Sequence, residues 1–195
     1  IAWYDSAFID WSLTAVMFLS GINFGLHLMA VKNRGLKPYR DPEFKFYLGV
    51  LSLSALIITF SLLKSGYYPT VGKSLRHSAF QAVSLMTTTG FVTEDFTLWP
   101  SLAQMLIISI TFIGGCAGST SGSVKCLRVQ IVLKQIIAET KRLTHPHAFV
   151  PIRLGEKAVP GKLAFTASAF IALYFFILGV ASILLSATGT DVVTS

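Results

Sequence analysis

Four long stretches of this sequence contain no charged side chain. They cover residues 11–31, 46–63, 96–124 and 163–190, and none of them holds Lys, Arg, Asp or Glu. A helix needs about 20 mostly apolar residues, with about 17 as the lower limit, to cross the hydrocarbon core of a bilayer. Only 13% of the chain is charged, whereas soluble domains carry about a quarter of their residues as charged ones. The sequence therefore predicts an all-α integral membrane protein in contact with the lipid bilayer.

The basic residues predict the orientation of these spans. Thirteen of the sixteen Lys and Arg residues lie in two segments between spans, 32–45 and 125–162. Because cytoplasmic loops of membrane proteins are enriched in Lys and Arg, we expect both segments to be cytoplasmic. This uneven distribution accounts for the net charge of +7 as a topology signal, and we expect no nucleic-acid partner.

A fifth charge-free stretch, residues 77–93, does not look like a span because it holds seven Ser, Thr and Gln residues. Residues 74–86 within this region predict a helix of about three turns, too short to cross a membrane, with Ser74 as its N-cap. Thr87-Thr88-Thr89-Gly90-Phe91 follows at once. This order, span, short helix, irregular loop and span, predicts a re-entrant pore loop whose carbonyl and hydroxyl oxygens replace the hydration shell of a cation. The alternative is an external amphipathic turn that a glycine C-cap closes.

The third span is interrupted by ten consecutive residues, 114–123, of which four are Gly and four are Ser or Thr. Such a composition disfavours a helix, because each Gly costs about 1 kcal/mol relative to Ala. A nucleotide-binding loop would need Gly-Lys-Ser or Gly-Lys-Thr, and Gly122 is followed by Ser123 instead. Close packing by small residues is one remaining interpretation. We favour the other, an unwound element inside the membrane that can obstruct or open a pathway.

The sequence shows no arrangement typical of catalysis. We find no Ser-His-Asp or Cys-His arrangement, no paired carboxylates within a span, and no paired cysteines typical of a disulfide scaffold or zinc site. We interpret Cys116 and Cys126 as small buried residues. We therefore expect that the chain is not an enzyme and carries no cofactor.

The segment Met86–Phe96, followed by Gly114–Thr120, resembles the superfamily of potassium transporters that includes TrkH and KtrB. The resemblance implies four span–pore helix–span repeats around one pore, of which this chain is a fragment. It implies the following parts: 1–31 as the last helix of one repeat, 32–45 as a cytoplasmic loop, 46–142 as a complete repeat, 143–162 as a cytoplasmic linker, and 163–195 as the first helix of the next repeat.

The resemblance also implies roles for two groups of residues. The first, called the filter segment below, binds K⁺ and consists of Thr88, Thr89, Gly90 and Phe91, with Thr88 and Thr89 as metal ligands. The second, called the gating loop below, is the stretch 114–123, and its predicted functional residues are Gly114, Gly115, Gly118, Ser119, Thr120 and Gly122.

The expected function is potassium uptake across the bacterial inner membrane, with K⁺ as the transported ion. Two alternatives remain open: Na⁺-coupled K⁺ symport of the KtrB kind, and a non-conducting membrane scaffold subunit. The resemblance further implies a homodimer and a cytosolic regulatory ring protein that binds nucleotide.

Overall fold

The computed structural model describes residues 2–145, 150–155 and 157–187. These residues form seven α-helices and one short hairpin: α1 (Ala7–Ser20), α2 (Phe24–Lys32), α3 (Pro42–Lys64), α4 (Val71–Met86), α5 (Ser101–Ile113), α6 (Cys126–Thr144), β1 (Arg153–Leu154), β2 (Lys157–Ala158) and α7 (Gly161–Ser186). Residues 146–149 and 156 of the predicted linker, and residues 188–195 of the predicted last segment, lie outside the described residues. The chain divides into two compact units, Ile1–Leu127 and Arg128–Ser195.

Two of the described helices are long and apolar enough to cross a membrane. They are α3, with a mean hydropathy of 2.1, and α7, with a mean hydropathy of 2.4. Helix α3 begins at Pro42, four residues before the predicted start of the second span. The Asp41 side chain caps it by accepting hydrogen bonds from the amides of Glu43 (2.8 Å) and Phe44 (3.3 Å). Pro42 stands at the first helical position, where its missing N–H costs nothing, so it starts this helix rather than ending one.

The first charge-free stretch, residues 11–31, does not lie in the single helix that the sequence predicts for it. It is divided into α1 and α2, which meet at an angle of 91°. Asn23 caps α2, because its side chain accepts a hydrogen bond from the Gly25 amide at 2.7 Å. The break also fits between neighbouring helices, since a Cβ on Gly21 would lie 2.5 Å from the Tyr47 hydroxyl and 2.8 Å from Thr87 Cγ2. The prediction of one continuous helix is therefore wrong.

Helix α4 is the central element of the first unit and packs against α1, α3 and α5. Its 16 residues span about 24 Å at 1.5 Å per residue, less than the hydrocarbon core of about 30 Å. The predicted cap was wrong, because the helix begins one turn earlier than expected. The Thr70 side chain caps it by accepting from the Lys73 amide, and Ser74 is buried inside the helix.

The core of the first unit surrounds α4. Phe80 and Met86 are fully buried against side chains of the neighbouring helices, among them Tyr47 and Leu62. Buried hydroxyl groups join the same helices. Ser78 Oγ of α4 lies 2.5 Å from Thr59 Oγ1 of α3. A buried hydroxyl needs such a partner, because a polar group without one costs roughly 1–3 kcal/mol.

The second unit contains most of α6, the hairpin and α7. The two strands are antiparallel, with Arg153 opposite Ala158, and the sequence did not predict them. The Arg128 guanidinium of α6 lies over the Phe170 ring of α7, 4.1 Å from its centroid. Ser168 Oγ donates to Gln135 Oε1 at 3.0 Å. Polar and cation–π contacts therefore link the two helices.

Candidate functional site: filter segment and gating loop

The filter segment begins directly after α4. Thr87 is the C-cap of the helix, with φ −83° and ψ 0°. The Thr88 amide donates to Leu85 O at 3.1 Å, and the Thr89 amide donates to Ser84 O at 2.9 Å. These bonds satisfy carbonyl groups that the end of a helix leaves without partners. The chain therefore turns away from the helix in a defined conformation.

Two residues of the filter segment have a left-handed backbone. The φ angle is 56° at Thr88 and 77° at Gly90. Glycine adopts this conformation freely, whereas for a β-branched residue it is a genuine outlier. Such strained residues persist only where the surrounding structure holds them, and they cluster at functional sites. Left-handed residues on both sides of Thr89 change the direction in which successive carbonyl groups face.

The filter segment presents oxygen atoms at the surface of this chain. All four of its residues are exposed. In the part of the chain that the structure describes, the carbonyl oxygens of Thr88, Thr89 and Gly90 accept no hydrogen bond. A row of free carbonyl oxygens is the kind of ligand that coordinates K⁺ in a channel filter.

Side chains behind the filter segment hold it to α4. The buried Ser84 hydroxyl donates to the Phe91 carbonyl at 2.7 Å, which brings the far end of the segment back to the helix. The hydroxyl groups of Thr87 and Thr89 lie 2.8 Å apart. Sequence reasoning missed Ser84. The available signal was the unusual number of hydroxyl residues in a charge-free stretch.

The gating loop leaves the end of α5 and attaches to the bend between α1 and α2. Three backbone hydrogen bonds make this attachment: Cys116 N to Gly21 O at 2.9 Å, Thr120 N to Ser20 O at 3.3 Å, and Phe24 N to Gly118 O at 3.1 Å. The bend exposes main-chain groups that a continuous helix would have used internally, and the loop satisfies them. The gating loop and the bend between α1 and α2 lie far apart in the sequence, and each therefore satisfies main-chain groups of the other.

The loop is also bonded internally and closely packed. The Gly115 amide donates to Ser121 Oγ at 3.0 Å, and the Ser119 hydroxyl donates to the Cys116 carbonyl at 2.6 Å. Of the predicted loop residues, Gly114 and Gly115 are buried, Ser119 is half-buried, and Gly118, Thr120 and Gly122 are exposed. A Cβ on Gly115 would lie 2.8 Å from the Gly21 carbonyl oxygen. The small residues thus permit close packing as well as an unwound backbone.

One hydrogen bond joins the two predicted functional segments. The Gly122 amide of the gating loop donates to Thr88 Oγ1 at 2.6 Å. The same hydroxyl donates to the Thr87 carbonyl at 2.7 Å. Since Thr88 is the first residue of the filter segment after α4, the loop touches the end of the segment that lies nearest the helix.

Sequence reasoning did not identify two charged side chains that contact the gating loop. Glu43 of α3 accepts hydrogen bonds from the amides of Ala117 (2.6 Å) and Leu127 (3.1 Å). Lys125, with φ 79°, donates from Nζ to the Ser121 carbonyl. Glu43 reads in the sequence as an ordinary acidic residue in the first turn of a helix, and Lys125 as an interfacial anchor. Their partners lie too far along the chain, or depend too much on the loop conformation, for a pattern to reveal them.

A polar cluster lines a cavity of about 490 Å³ next to α4. His77 Nδ1 lies 3.2 Å from Thr93 Oγ1, and His77 Nε2 lies 3.6 Å from Glu94 Oε1. Tyr68 donates to Glu94 and stacks on the His77 ring with centroids 5.1 Å apart. Burial lowers the pKa of His77, although Glu94 opposes this shift. Burial and the bond to Glu94 raise the pKa of Tyr68. The cluster ties the chain that leaves the filter segment back to α4.

Arg76 of α4 forms ion pairs with the buried Asp10 of α1 and with the exposed Asp5, which precedes α1, next to the same cavity. Arg76 Nε lies 3.2 Å from Asp10 Oδ2, and Arg76 Nη2 lies 2.7 Å from Asp5 Oδ1. Asp10 is buried, and a buried carboxylate needs such a partner to compensate for the water that it has lost. The exposed Asp95 lies on the same connection, and hydrogen bonds from Thr97 lower its pKa.

Comparisons with known proteins show the family to which the sequence is similar. Residues 1–194 match the family TrkH, described as a cation transport protein. The Trk system potassium uptake protein TrkH of Salmonella typhimurium is 36% identical over 192 residues, which are 98% of this chain and 40% of that protein. The protein of the same name from Halomonas elongata is 36% identical over 196 residues, 100% of this chain and 40% of that protein. TrkG of Escherichia coli is 33% identical over 202 residues.

A solved structure shares the fold. The crystal structure of the potassium transporter TrkH from Vibrio parahaemolyticus superposes with a TM-score of 0.91 and 34% sequence identity, and covers 98% of this chain and 42% of that one. The predicted all-α membrane fold class is confirmed. The chain spans 40% of the length of the two curated TrkH relatives described above.

Proposed function

The chain belongs to the TrkH family of cation transport proteins, and from this we propose that it forms part of a potassium uptake pore. In this proposal the filter segment selects the ion and the gating loop controls its passage. The relatives are named as potassium uptake proteins, and the proposed activity is transport rather than catalysis, with no cofactor and with K⁺ as the transported ion.

The proposal for the filter segment rests on its backbone. Free carbonyl oxygens follow a helix that is too short to span the membrane, and left-handed residues flank Thr89. The C-terminal end of α4 carries the negative end of the helix dipole, which favours a cation at this place. Thr88 and Thr89 supply hydroxyl oxygens as further ligands, and hard cations prefer oxygen.

The observation that carries the proposed gate is the hydrogen bond between Gly122 and Thr88. An unwound element in direct contact with one end of a filter lies where an ion that leaves the filter must pass. The loop's main chain has polar groups that cannot face lipid. A water-filled pathway on its exposed side satisfies the groups that the protein does not.

The whole protein extends the proposal beyond this chain. We propose that residues 46–142, which include α4, α5 and most of α3 and α6, form one complete span–pore helix–span repeat. In this proposal 1–31 ends the preceding repeat and 163–195 begins the next. Four such repeats would supply four filter segments. The basic segments 32–45 and 125–162 would face the cytoplasm of a bacterial cell, with the protein in the inner membrane.

We also propose partners for the full-length protein, namely a second copy in a homodimer and a cytosolic nucleotide-binding ring protein. The relatives' names, which place them in a Trk system, support the broader part of this proposal, that the protein acts together with other components. The finer assignment follows from the family resemblance alone.

A shortened gating loop tests the proposed function. In the full-length protein reconstituted into vesicles, deletion of Gly118–Gly122 should raise K⁺ flux and make it less dependent on a cytosolic partner, because the deleted residues include Gly122, which contacts the filter segment. The ratio of K⁺ to Na⁺ flux serves as the control, since the deletion leaves the filter segment itself intact. Flux at the wild-type level, with normal amounts of protein in the vesicles, would contradict the gating role.

A further inference from the structure

Glu43 is a carboxylate buried at the start of a membrane-spanning helix. It occupies the second position of α3, and only 8% of its surface is exposed. A buried carboxylate is costly unless hydrogen bonds or opposite charges compensate for the water that it has lost. We therefore expect the Glu43 carboxylate to have hydrogen-bond or charged partners inside the protein.

Its hydrogen-bond partners are two backbone amides more than seventy residues away in the chain. The same atom, Oε1, accepts from Ala117 at 2.6 Å and from Leu127 at 3.1 Å. Ala117 belongs to the gating loop and Leu127 to the first turn of α6. A single oxygen thus bridges the loop and the helix that follows it. A negative charge at the first turn of a helix is also favoured by the helix dipole.

The other attachments of the gating loop lead in different directions. Its contacts with Ser20 and Gly21 lead to the bend between α1 and α2, and its contact with Thr88 leads to the filter segment. Glu43 adds a bond to α3, a helix that is long and apolar enough to cross a membrane. A loop that is held from three sides can stay against the filter segment.

We infer that Glu43 is a positioning residue for the gating loop, whose carboxylate oxygen holds the loop against the filter segment until the loop moves. This inference rests on the proposed gating function. Glu43 does not need to touch the ion. It acts through the backbone of the loop, and loss of its two bonds shifts the loop towards arrangements that leave the pathway open.

Two substitutions of Glu43 separate the effect of side-chain length from the effect of charge. Because both bonds end on one oxygen, Glu43→Gln can keep both while it loses the charge. Glu43→Asp keeps the charge but is shorter by one methylene group, so it cannot reach both amides. We expect Glu43→Asp to raise basal K⁺ flux about fivefold, the population shift that follows from losing roughly one net hydrogen bond. Glu43→Gln should stay near the wild-type flux.

The experiment measures K⁺ and Na⁺ flux of the full-length protein in vesicles for both variants and for Glu43→Ala, which removes both bonds. Matched controls are Glu139→Asp and Glu139→Gln, because Glu139 is an exposed glutamate of α6 that pairs only with Arg142 among the described residues. The controls should leave flux unchanged.

A second measurement follows the loop directly. A cysteine introduced in place of the exposed Thr120 should react faster with a thiol reagent in Glu43→Asp and Glu43→Ala than in wild type or Glu43→Gln. Cys116 and Cys126 are buried and should contribute little background. A purely structural role of Glu43 would lower the amount of folded protein without a faster reaction at position 120 and without a higher flux per protein at constant K⁺ to Na⁺ ratio.

The outcomes separate this inference from the proposed function. If the deletion of Gly118–Gly122 raises flux while Glu43→Asp and Glu43→Ala change neither flux nor the reaction at position 120, the positioning role is overturned and the gate stands. If Glu43→Gln raises flux as much as Glu43→Asp does, the reach of the side chain alone does not hold the loop, and the inference is wrong. If the deletion leaves flux unchanged, the proposed gate fails, and the reaction at position 120 still decides whether Glu43 positions the loop.

Discussion

The filter segment and the gating loop are both irregular backbone inside a membrane protein, yet different forces hold them. The filter segment is bonded mainly to its own helix, through Ser84 and Leu85 of α4. The gating loop is bonded to elements that lie far away in the sequence, including Gly21 and Glu43. A local structure is specified by a short stretch of sequence, whereas the loop is specified only once the whole unit has assembled.

Glycine serves the two segments in different ways. Gly90 has a φ of 77° and no atom within 4 Å of an added Cβ, so its role is conformational. Gly115 has no left-handed φ, but an added Cβ would lie 2.8 Å from the Gly21 carbonyl oxygen, so its role is steric. Substitutions at these two positions should therefore fail for different reasons, which gives a direct test of the contrast.

The largest effect is expected at Gly115. Gly115→Ala forces a methyl group against main-chain atoms of the α1–α2 bend, and overpacking of this kind costs typically about 1–3 kcal/mol. We expect a lower melting temperature in detergent and a higher basal K⁺ flux, because the loop must move away from the bend. The K⁺ to Na⁺ ratio should change little.

Gly49→Ala is the matched control for this substitution. Gly49 lies within α3, and an added Cβ there meets no atom within 4 Å. Alanine also suits a helix better than glycine does. If Gly115→Ala is as harmless as Gly49→Ala, the loop does not pack as closely as the structure indicates.

A somewhat smaller effect is expected at Gly90, and it should appear in selectivity instead. Gly90→Ser places a Cβ on a left-handed residue, at a cost of about 1–2 kcal/mol, and the backbone can relieve this strain by turning its carbonyl groups. Because about 1.4 kcal/mol corresponds to a factor of ten, we expect the K⁺ to Na⁺ flux ratio to fall roughly tenfold.

The comparison for this variant is Gly72→Ser, the same change in the first turn of α4 at a position that has free space and no left-handed backbone. It should leave the flux ratio at the wild-type value. An added Cβ at Gly90 meets no atom within 4 Å, so the substitution acts only through backbone strain. Unchanged selectivity in Gly90→Ser would therefore count against the filter assignment.

These contrasts also explain what the sequence could predict. Charge-free stretches revealed the two spanning helices, and the short helix before Thr87–Phe91 was visible because its residues are local to one another. The interruption at 114–123 was visible from composition. The bend at Gly21 was not, because one glycine in an apolar stretch does not usually break a helix, and the break depends on carbonyl groups that the loop satisfies from about a hundred residues away.

The sequence did not reveal the cap of α4 or the contacts of Glu43, and the reasons are related. Ser74 and Thr70 are both good N-cap residues, and only the packing of α4 against three helices decides which of them starts the helix. Glu43 follows Asp41-Pro42, where an acidic residue is ordinary in a first helical turn. Its bonds to Ala117 and Leu127 require the folded arrangement of α3, the loop and α6, which no local pattern contains.

The smallest expected effect concerns Thr88, where the two segments meet. Thr88→Val keeps the size and β-branching of the side chain and removes the oxygen that accepts from Gly122. A net hydrogen bond contributes about 0.5–1.5 kcal/mol, so basal flux should rise by a few-fold at most. Thr88→Ser keeps the hydroxyl and should restore the wild-type flux.

If Thr88 only supplied an oxygen to the ion, Thr88→Val would instead lower the K⁺ to Na⁺ ratio without raising flux, since the loop would remain in place. If the hydroxyl holds the loop, flux rises while the ratio changes less than in Gly90→Ser. Measurement of flux and of the K⁺ to Na⁺ ratio on the same vesicles therefore shows whether the Thr88 hydroxyl binds the ion or holds the gating loop. No change in either quantity would show that the filter segment and the gating loop act independently.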